Sequence, residues 1–138
     1  MKIILDANVL ISYLLSPTPA GKIAQVVDIC LSPAIDLIVP GELVAELEVA
    51  VHRSEYLEER IPQWKFAALL ETLRMGAVYL RDVDVTRITR DPKDDYLLQY
   101  AAHYAIDFLI TGDKDLLALG QVQNVRIVSP AQFLDLSA

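Results

Sequence analysis

KIILDANVLISYLL, residues 2–15, carries the architecture in miniature. Lys2–Leu5 is a short β-branched run, Asp6 interrupts it, and Asn8–Leu15 is apolar at helical spacing until Ser16-Pro17 stops it. A strand that passes through one acid into a helix is the opening unit of a parallel α/β fold. The same order returns at FLITGDKDLLAL, residues 108–119: a strand over Phe108–Ile110, then Thr111-Gly112-Asp113, then a short helix over Lys114–Leu119.

Working outward, Ala20–Leu31 predicts a helix with Ile23, Val26, Val27, Cys30 and Leu31 on one side. Asp36–Val39 is a second strand closed by Pro40-Gly41, followed by a helix over Glu42–Arg53. Pro62–Met75 is a further helix, with proline in its first turn. Ala77–Leu80 is a third strand, Arg81–Arg90 a charged loop, and Pro92–Tyr104 a helix. Arg126–Val128 is a fifth strand and Pro130–Leu136 a final helix. Five short apolar strands separated by helices predict an α/β three-layer sandwich with a five-stranded, mostly parallel sheet. Such sheets bind ligands beyond the carboxyl ends of their strands, where strand order reverses.

A length of 138 residues suits one domain, read here as 1–138. The 54% hydrophobic residues and a mean hydropathy of +0.35 argue against disorder. No apolar stretch reaches membrane-spanning length before a charge or proline breaks it, and Asp6 interrupts what would be a signal peptide's apolar region. The expectation is a cytoplasmic protein. Cys30 is the lone cysteine, so a disulfide framework and a cysteine zinc site are excluded. The net charge of −7 argues against a non-specific DNA coat but is compatible with a nuclease, whose metal site is itself a cluster of acids.

Candidate chemistry lies in those acids. Asp6 and Asp113 both follow apolar strands, a position that suits either a ligand site or the start of solvent. On the Glu42–Arg53 helix, Leu43, Leu47, Ala50 and Val51 form an inward stripe. Glu46 sits at its rim, where burial is costly unless a cationic side chain or a metal pairs with it. Glu48 falls on the far, solvated side, and Glu42 suits the positive helix start. In DPKDDYLLQYAAHYA, Asp91 reads as a helix cap with Pro92 at the first position. Leu98, Ala101, Ala102 and Ala105 are then the inward stripe, with Asp94 near its middle and Asp95 to one side. Asp94 is either an inward site acid or a capping partner. Asp6, Glu46, Asp94 and Asp113 thus come from four segments and are read as converging. Packed anions repel, and a divalent cation resolves this. All-oxygen ligands select Mg²⁺ or Mn²⁺, which activate water and stabilise a phosphodiester transition state.

At this point the chain resembles the PIN-domain family of metal-dependent ribonucleases. ILDANVLIS resembles its opening motif with Asp6, and IVPGELVAELEVAV its second with Glu46. DPKDDYLLQYAAHYAIDFLITGDKDLLAL resembles the third and fourth together, most of all in the branch of toxins from toxin–antitoxin pairs. Pro40-Gly41 departs from the small hydroxyl residue common there. The resemblance implies strand order 3-2-1-4-5, which sets the first and fourth strands side by side. It implies Asp6, Glu46, Asp94 and Asp113 as catalytic acids. Asp6, Asp94 and Asp113 would hold Mg²⁺ or Mn²⁺, and Glu46 would bind a second ion or orient the attacking water. Asp94 is taken as the third acid, and the spacing in other branches favours Asp95. Asp115 is a possible outer ligand, and Asn8 and Thr111 would hydrogen-bond the carboxylates. The resemblance further implies an RNA substrate, a small antitoxin blocking the cleft, and a homodimer.

Arg87, Arg90 and Lys93 suit a phosphate grip or a solvated loop equally. His52 and His103 lie off the apolar stripes, and Cys30 reads as core. Trp64 and Phe66 suit core or a partner contact, and Tyr96, Tyr100 and Tyr104, spaced by four, suit packing ahead of RNA stacking, or a dimer interface if exposed. Two rivals stand against the nuclease: a catalytically inactive interaction module, and a phosphatase with an aspartyl nucleophile. The second wants an acid where Asn8 stands.

Overall fold

The computed structural model describes residues 1–17, 21–80 and 92–137, the last stretch with side chains over 96–136. At its centre lies β1 (Lys2–Leu5), where Ile3, Ile4 and Leu5 are all buried. Successive strand residues point to opposite faces, so three buried in a row mean that both faces are covered, and the fold has three layers. β2 (Asp36–Leu37) flanks β1 on one side, in parallel register Lys2↔Asp36. On the other side stands β5 (Phe108–Ile110), parallel in register Leu5↔Ile110. β7 (Val125–Val128) lies parallel beyond β5, with Ile110↔Val128.

The helices follow the apolar spacing closely. α1 (Ala7–Leu15) packs against both α2 (Lys22–Cys30) and α3 (Gly41–Arg53), and α2 also packs on the C-terminal helix α8 (Pro130–Ser137). α3 buries Leu43, Val44, Leu47 and Val51, with Ala50 at the edge of that face. A short helix that the spacing does not predict, α4 (Glu55–Arg60), starts where the Ser54 hydroxyl accepts a hydrogen bond from Leu57 N at 3.2 Å. α5 (Gln63–Gly76), α6 (Pro92–His103) and α7 (Lys114–Leu119) fall where expected. Among the described residues no helix is long and apolar enough to cross a membrane.

The sheet corrects the expected strand order in two places. The second predicted strand is divided: Asp36–Leu37 pairs with β1, and Ile38 N still donates to Ile3 O at 2.9 Å. β3 (Val39–Pro40) then pairs instead with β4 (Ala77–Val78), in register Val39↔Ala77. The neighbours still run in the predicted succession, but the third strand stands in a separate two-stranded ladder. Pro40 has no N–H to give and ends the pairing at the mouth of α3. The fifth strand of the main sheet is therefore β6 (Gln121–Val122), antiparallel on β7, and the order is β2-β1-β5-β7-β6. Gln123, with φ 53°, makes the tight turn between those two strands.

The face of α6 is also corrected. Leu97, Leu98, Tyr100 and Ala101 are buried, while Ala102 and Ala105 are exposed. Ala105 has φ 54° and lies past the helix end, so it cannot continue a helical stripe. The Arg81–Arg90 loop lies outside the described residues.

Candidate active site

Asp6 sits at the carboxyl end of β1 and is 6% exposed. Its backbone N–H donates to Ile110 O at 2.9 Å and carries the β1–β5 ladder one residue further. Its side chain caps α1, with Oδ1 accepting from Ala7 N at 2.7 Å. The other oxygen, Oδ2, accepts from the Thr111 hydroxyl at 2.7 Å and from Asn8 Nδ2 at 3.3 Å. Thr111 is completely buried one residue beyond β5, and its N–H bonds Val128 O at 3.0 Å. Three parallel strands therefore fix the position of one hydroxyl against one carboxylate.

Asn8 and Asp113 complete this knot. The Asn8 carbonyl accepts from Gly112 N at 3.0 Å, and its amide also reaches Thr111 Oγ1 at 3.4 Å. Asp113 N donates to Thr111 Oγ1 at 3.0 Å, and Asp113 Oδ1 caps α7 through Asp115 N at 2.8 Å. Asp115 itself is exposed in the first turn of α7. Strand adjacency brings Asp6 and Asp113 together, and Asn8 and Thr111 bridge them.

Glu46 approaches from α3. It is half-buried and accepts a hydrogen bond from the Tyr96 hydroxyl of α6 at 2.8 Å. Its partner at the rim is thus a phenol, and among the described residues Glu46 forms no ion pair. Burial first, then the Glu46 charge, pushes the Tyr96 phenol far up, so it stays protonated and donating. One turn earlier Glu42 faces Tyr100, whose pKa burial and Glu42 push up to about 12. Sequence spacing alone did not pair these acids with the tyrosines, because only the packing of α3 on α6 does so. The available signal was a four-residue interval shared by Glu42/Glu46 and Tyr96/Tyr100. Tyr96→Phe keeps the ring and removes the donor. The expected loss is about 1–2 kcal/mol, low for a charged acceptor because the pair is half-buried. A double-mutant cycle with Glu46→Gln, read by thermal denaturation, checks it; a coupling near zero would refute it.

The acids feel one another. The Asp6 carboxyl is raised above its ordinary range, chiefly by burial. The Thr111 and Ala7 hydrogen bonds oppose this, and the charges of Glu46 and Asp113 add to it. A cation here would reverse the balance, and the oxygen donors suit a hard one. Among the described residues no group of three metal-ligating side chains is spaced to hold an ion. Asp94 and its alternative Asp95 fall in the first turn of α6, where the side chains lie outside the described residues. The Lys93 side chain is likewise outside the described residues, and so are Arg87 and Arg90 altogether.

Glu48, expected to be solvated, lies at the surface and pairs there with Arg74 of α5. His52 lies 3.5 Å from Glu58 and has its ring edge on Phe66. Tyr96, Tyr100 and Tyr104 pack in succession, with ring centres 6.3 and 6.2 Å apart. Cys30 is core, its thiol pushed up to about 12 by burial. Phe66 is buried and Trp64 is exposed.

No curated protein matches the chain in sequence. Among solved structures, a chain in the structure of FitAB bound to an IR36 DNA fragment has a TM-score of 0.60 and 20% identity. The match covers 93% of this chain and 94% of that one, a likeness of fold. The PIN domain family matches residues 2–115, and with that span the chain belongs to the PIN domain family.

Proposed function

We propose that this protein is a divalent-metal-dependent endoribonuclease, a hydrolase of RNA phosphodiester bonds, and the toxin of a toxin–antitoxin pair. The observation that carries this is the buried Asp6 carboxyl, tied to Thr111 and Asn8 and raised first by its burial and then by the nearby charges of Glu46 and Asp113. Such an arrangement is costly without a cation and suited to one. Asp6, Asp94 and Asp113 would hold Mg²⁺ or Mn²⁺. When bound, that ion supplies an activated water and charge stabilisation on the phosphodiester.

The chain's own residues do the positioning. The Thr111 hydroxyl and Ala7 N–H fix both Asp6 oxygens, so the carboxylate cannot rotate away from the strand end. Asn8 ties α1 to the Gly112 backbone and keeps Asp113 in register with Asp6. The Tyr96 hydroxyl holds Glu46, which either takes a second ion or orients the attacking water. Asp94 stands three and four residues before the buried Leu97 and Leu98, which favours it over Asp95. The phosphatase reading loses ground because the Asn8 amide is a brace, with both ends engaged, where that chemistry needs a general acid. The proposal includes a single nuclease domain over residues 1–138, a cytoplasmic location, a homodimer and a small antitoxin that occupies the acidic cleft.

The test is cleavage of structured and unstructured RNAs with Mn²⁺, Mg²⁺ or EDTA, comparing wild type with Asp94→Asn and Asp95→Asn. Metal-dependent cleavage lost only in Asp94→Asn is the expected result. Loss only in Asp95→Asn would keep the nuclease and change the third acid. A wild type that cleaves nothing, and shows no Mn²⁺ binding by calorimetry, would leave the inactive interaction module as the better reading.

A further inference from the structure

A cavity of about 560 Å³ opens along α3, with Glu42 and Glu46 at one end, Ala45, Val49 and Ala50 along it, Arg53 at the other end, and Tyr96 of α6 against it. Glu46, Val49 or Ala50, and Arg53 recur at intervals of three and four, so they share one helix face. A rise of about 1.5 Å per residue sets Arg53 roughly 10 Å along the groove from Glu46.

Arg53 is exposed and forms no ion pair among the described residues. Among the described residues, two other arginines are already engaged. Arg74 pairs with Glu48, and Arg60 lies by Glu59 with its guanidinium 3.7 Å from the Tyr56 ring centre. A last-turn cation suits the helix dipole, but that does not require it to share a cavity with a site acid. The surface between the two charges is apolar, with Val49 46% exposed. A guanidinium, an apolar floor and an acid in sequence match the alternating phosphate and ribose–base faces of a single strand. On a chain of net charge −7, a polyanion needs such a local cation to approach the acids.

We infer that this cavity is the subsite for the RNA strand flanking the scissile phosphate. Arg53 takes a backbone phosphate that is not cleaved, and Val49 and Ala50 take the adjoining ribose and base. The inference rests on the ribonuclease reading and assigns its substrate path. Arg53 positions the strand and takes no part in the chemical step.

The experiment compares wild type with Arg53→Ala on a 5′-fluorescein-labelled single-stranded RNA. Cleavage is followed in Mn²⁺, and binding by anisotropy in Ca²⁺ across a salt series. The expected result is a KM about tenfold higher with kcat within about twofold. The slope of log affinity on log salt should fall by about 0.7, the contribution of one phosphate contact on a single strand. Arg53→Lys should recover part of the affinity, since it keeps the charge and loses the fork. If wild type neither cleaves nor binds the RNA, the nuclease reading and this inference both fall. If wild type does both and Arg53→Ala matches it in affinity and salt slope, the inference alone is overturned, and the groove is left to a protein partner.

Discussion

Replacing Asp6 with Asn is expected to abolish metal-dependent RNA cleavage and to flatten the pH dependence of the metal-free protein's stability. The sign follows from the raised carboxyl. The folded protein holds this proton more tightly than the unfolded chain, so the contribution of Asp6 favours folding at low pH. That contribution is lost as pH climbs from the ordinary value of 3.8 through the raised one. The melting temperature of Asp6→Asn minus that of wild type should therefore grow with pH across this window. Saturating Mn²⁺ should raise the wild-type melting temperature at neutral pH and leave the variant unmoved. Cleavage should drop by more than about 10²-fold, the upper range for losing even an outer partner of a metal ligand. A variant that tracks wild type across the pH range and still responds to Mn²⁺ would remove Asp6 from the site.

Thr111→Val is expected to cost more than its near-identical shape suggests. The hydroxyl donates to Asp6 Oδ2 at 2.7 Å and accepts from Asp113 N at 3.0 Å, at a residue with no solvent exposure. Removing it leaves a buried carboxylate oxygen with Asn8 as its remaining partner, and an amide with none. Each such group costs about 1–3 kcal/mol, so a total of about 2–4 kcal/mol, or roughly 8–15 °C, is expected. The Thr111 bond is also the foremost influence that lowers the Asp6 carboxyl. In the valine variant the pH window of Asp6 should therefore move upward. Thr111→Ser restores the hydroxyl and should recover the window while losing only the packing of one methyl group. Thermal melts of both variants between acid and neutral pH decide the matter. A valine variant within two or so degrees of wild type would show that the hydroxyl is not what holds the site.

The parts of this protein that were legible in the chain are those whose cause is local. Lys2–Leu5 and Phe108–Ile110 are continuous apolar runs, and each leads through an acid that caps the next helix. The placement of Asp6 and Asp113 followed from those runs. β4 was legible within Ala77–Leu80, and β3 reads as the end of the second strand, but the two residues of β6 exist only because the edge of β7 is present, so no run of residues announces them. The turn at Gln123 lacks the glycine that would mark a hairpin. The face of α6 was misplaced because a count of alanines cannot tell a buried turn from the residues past the helix end. Glu46 was legible as an acid on a rim, but its Tyr96 partner was not, since they lie 50 residues apart and meet only when α3 and α6 pack.

The bond between Thr111 and Asp6 spans 105 residues of chain, and Thr111 in turn leans on Val128. Contacts of such sequence separation are late and slow to form, because the intervening loop must close first. A chain still being synthesised therefore has β1 without its neighbour on one edge and Asp6 without its hydroxyl. The Asp6 site is therefore incomplete until Thr111 and the Val128 strand that supports it have left the ribosome. If the proposed nuclease reading holds, this order of assembly would delay cleavage of the encoding message until translation has passed the last strands of the sheet.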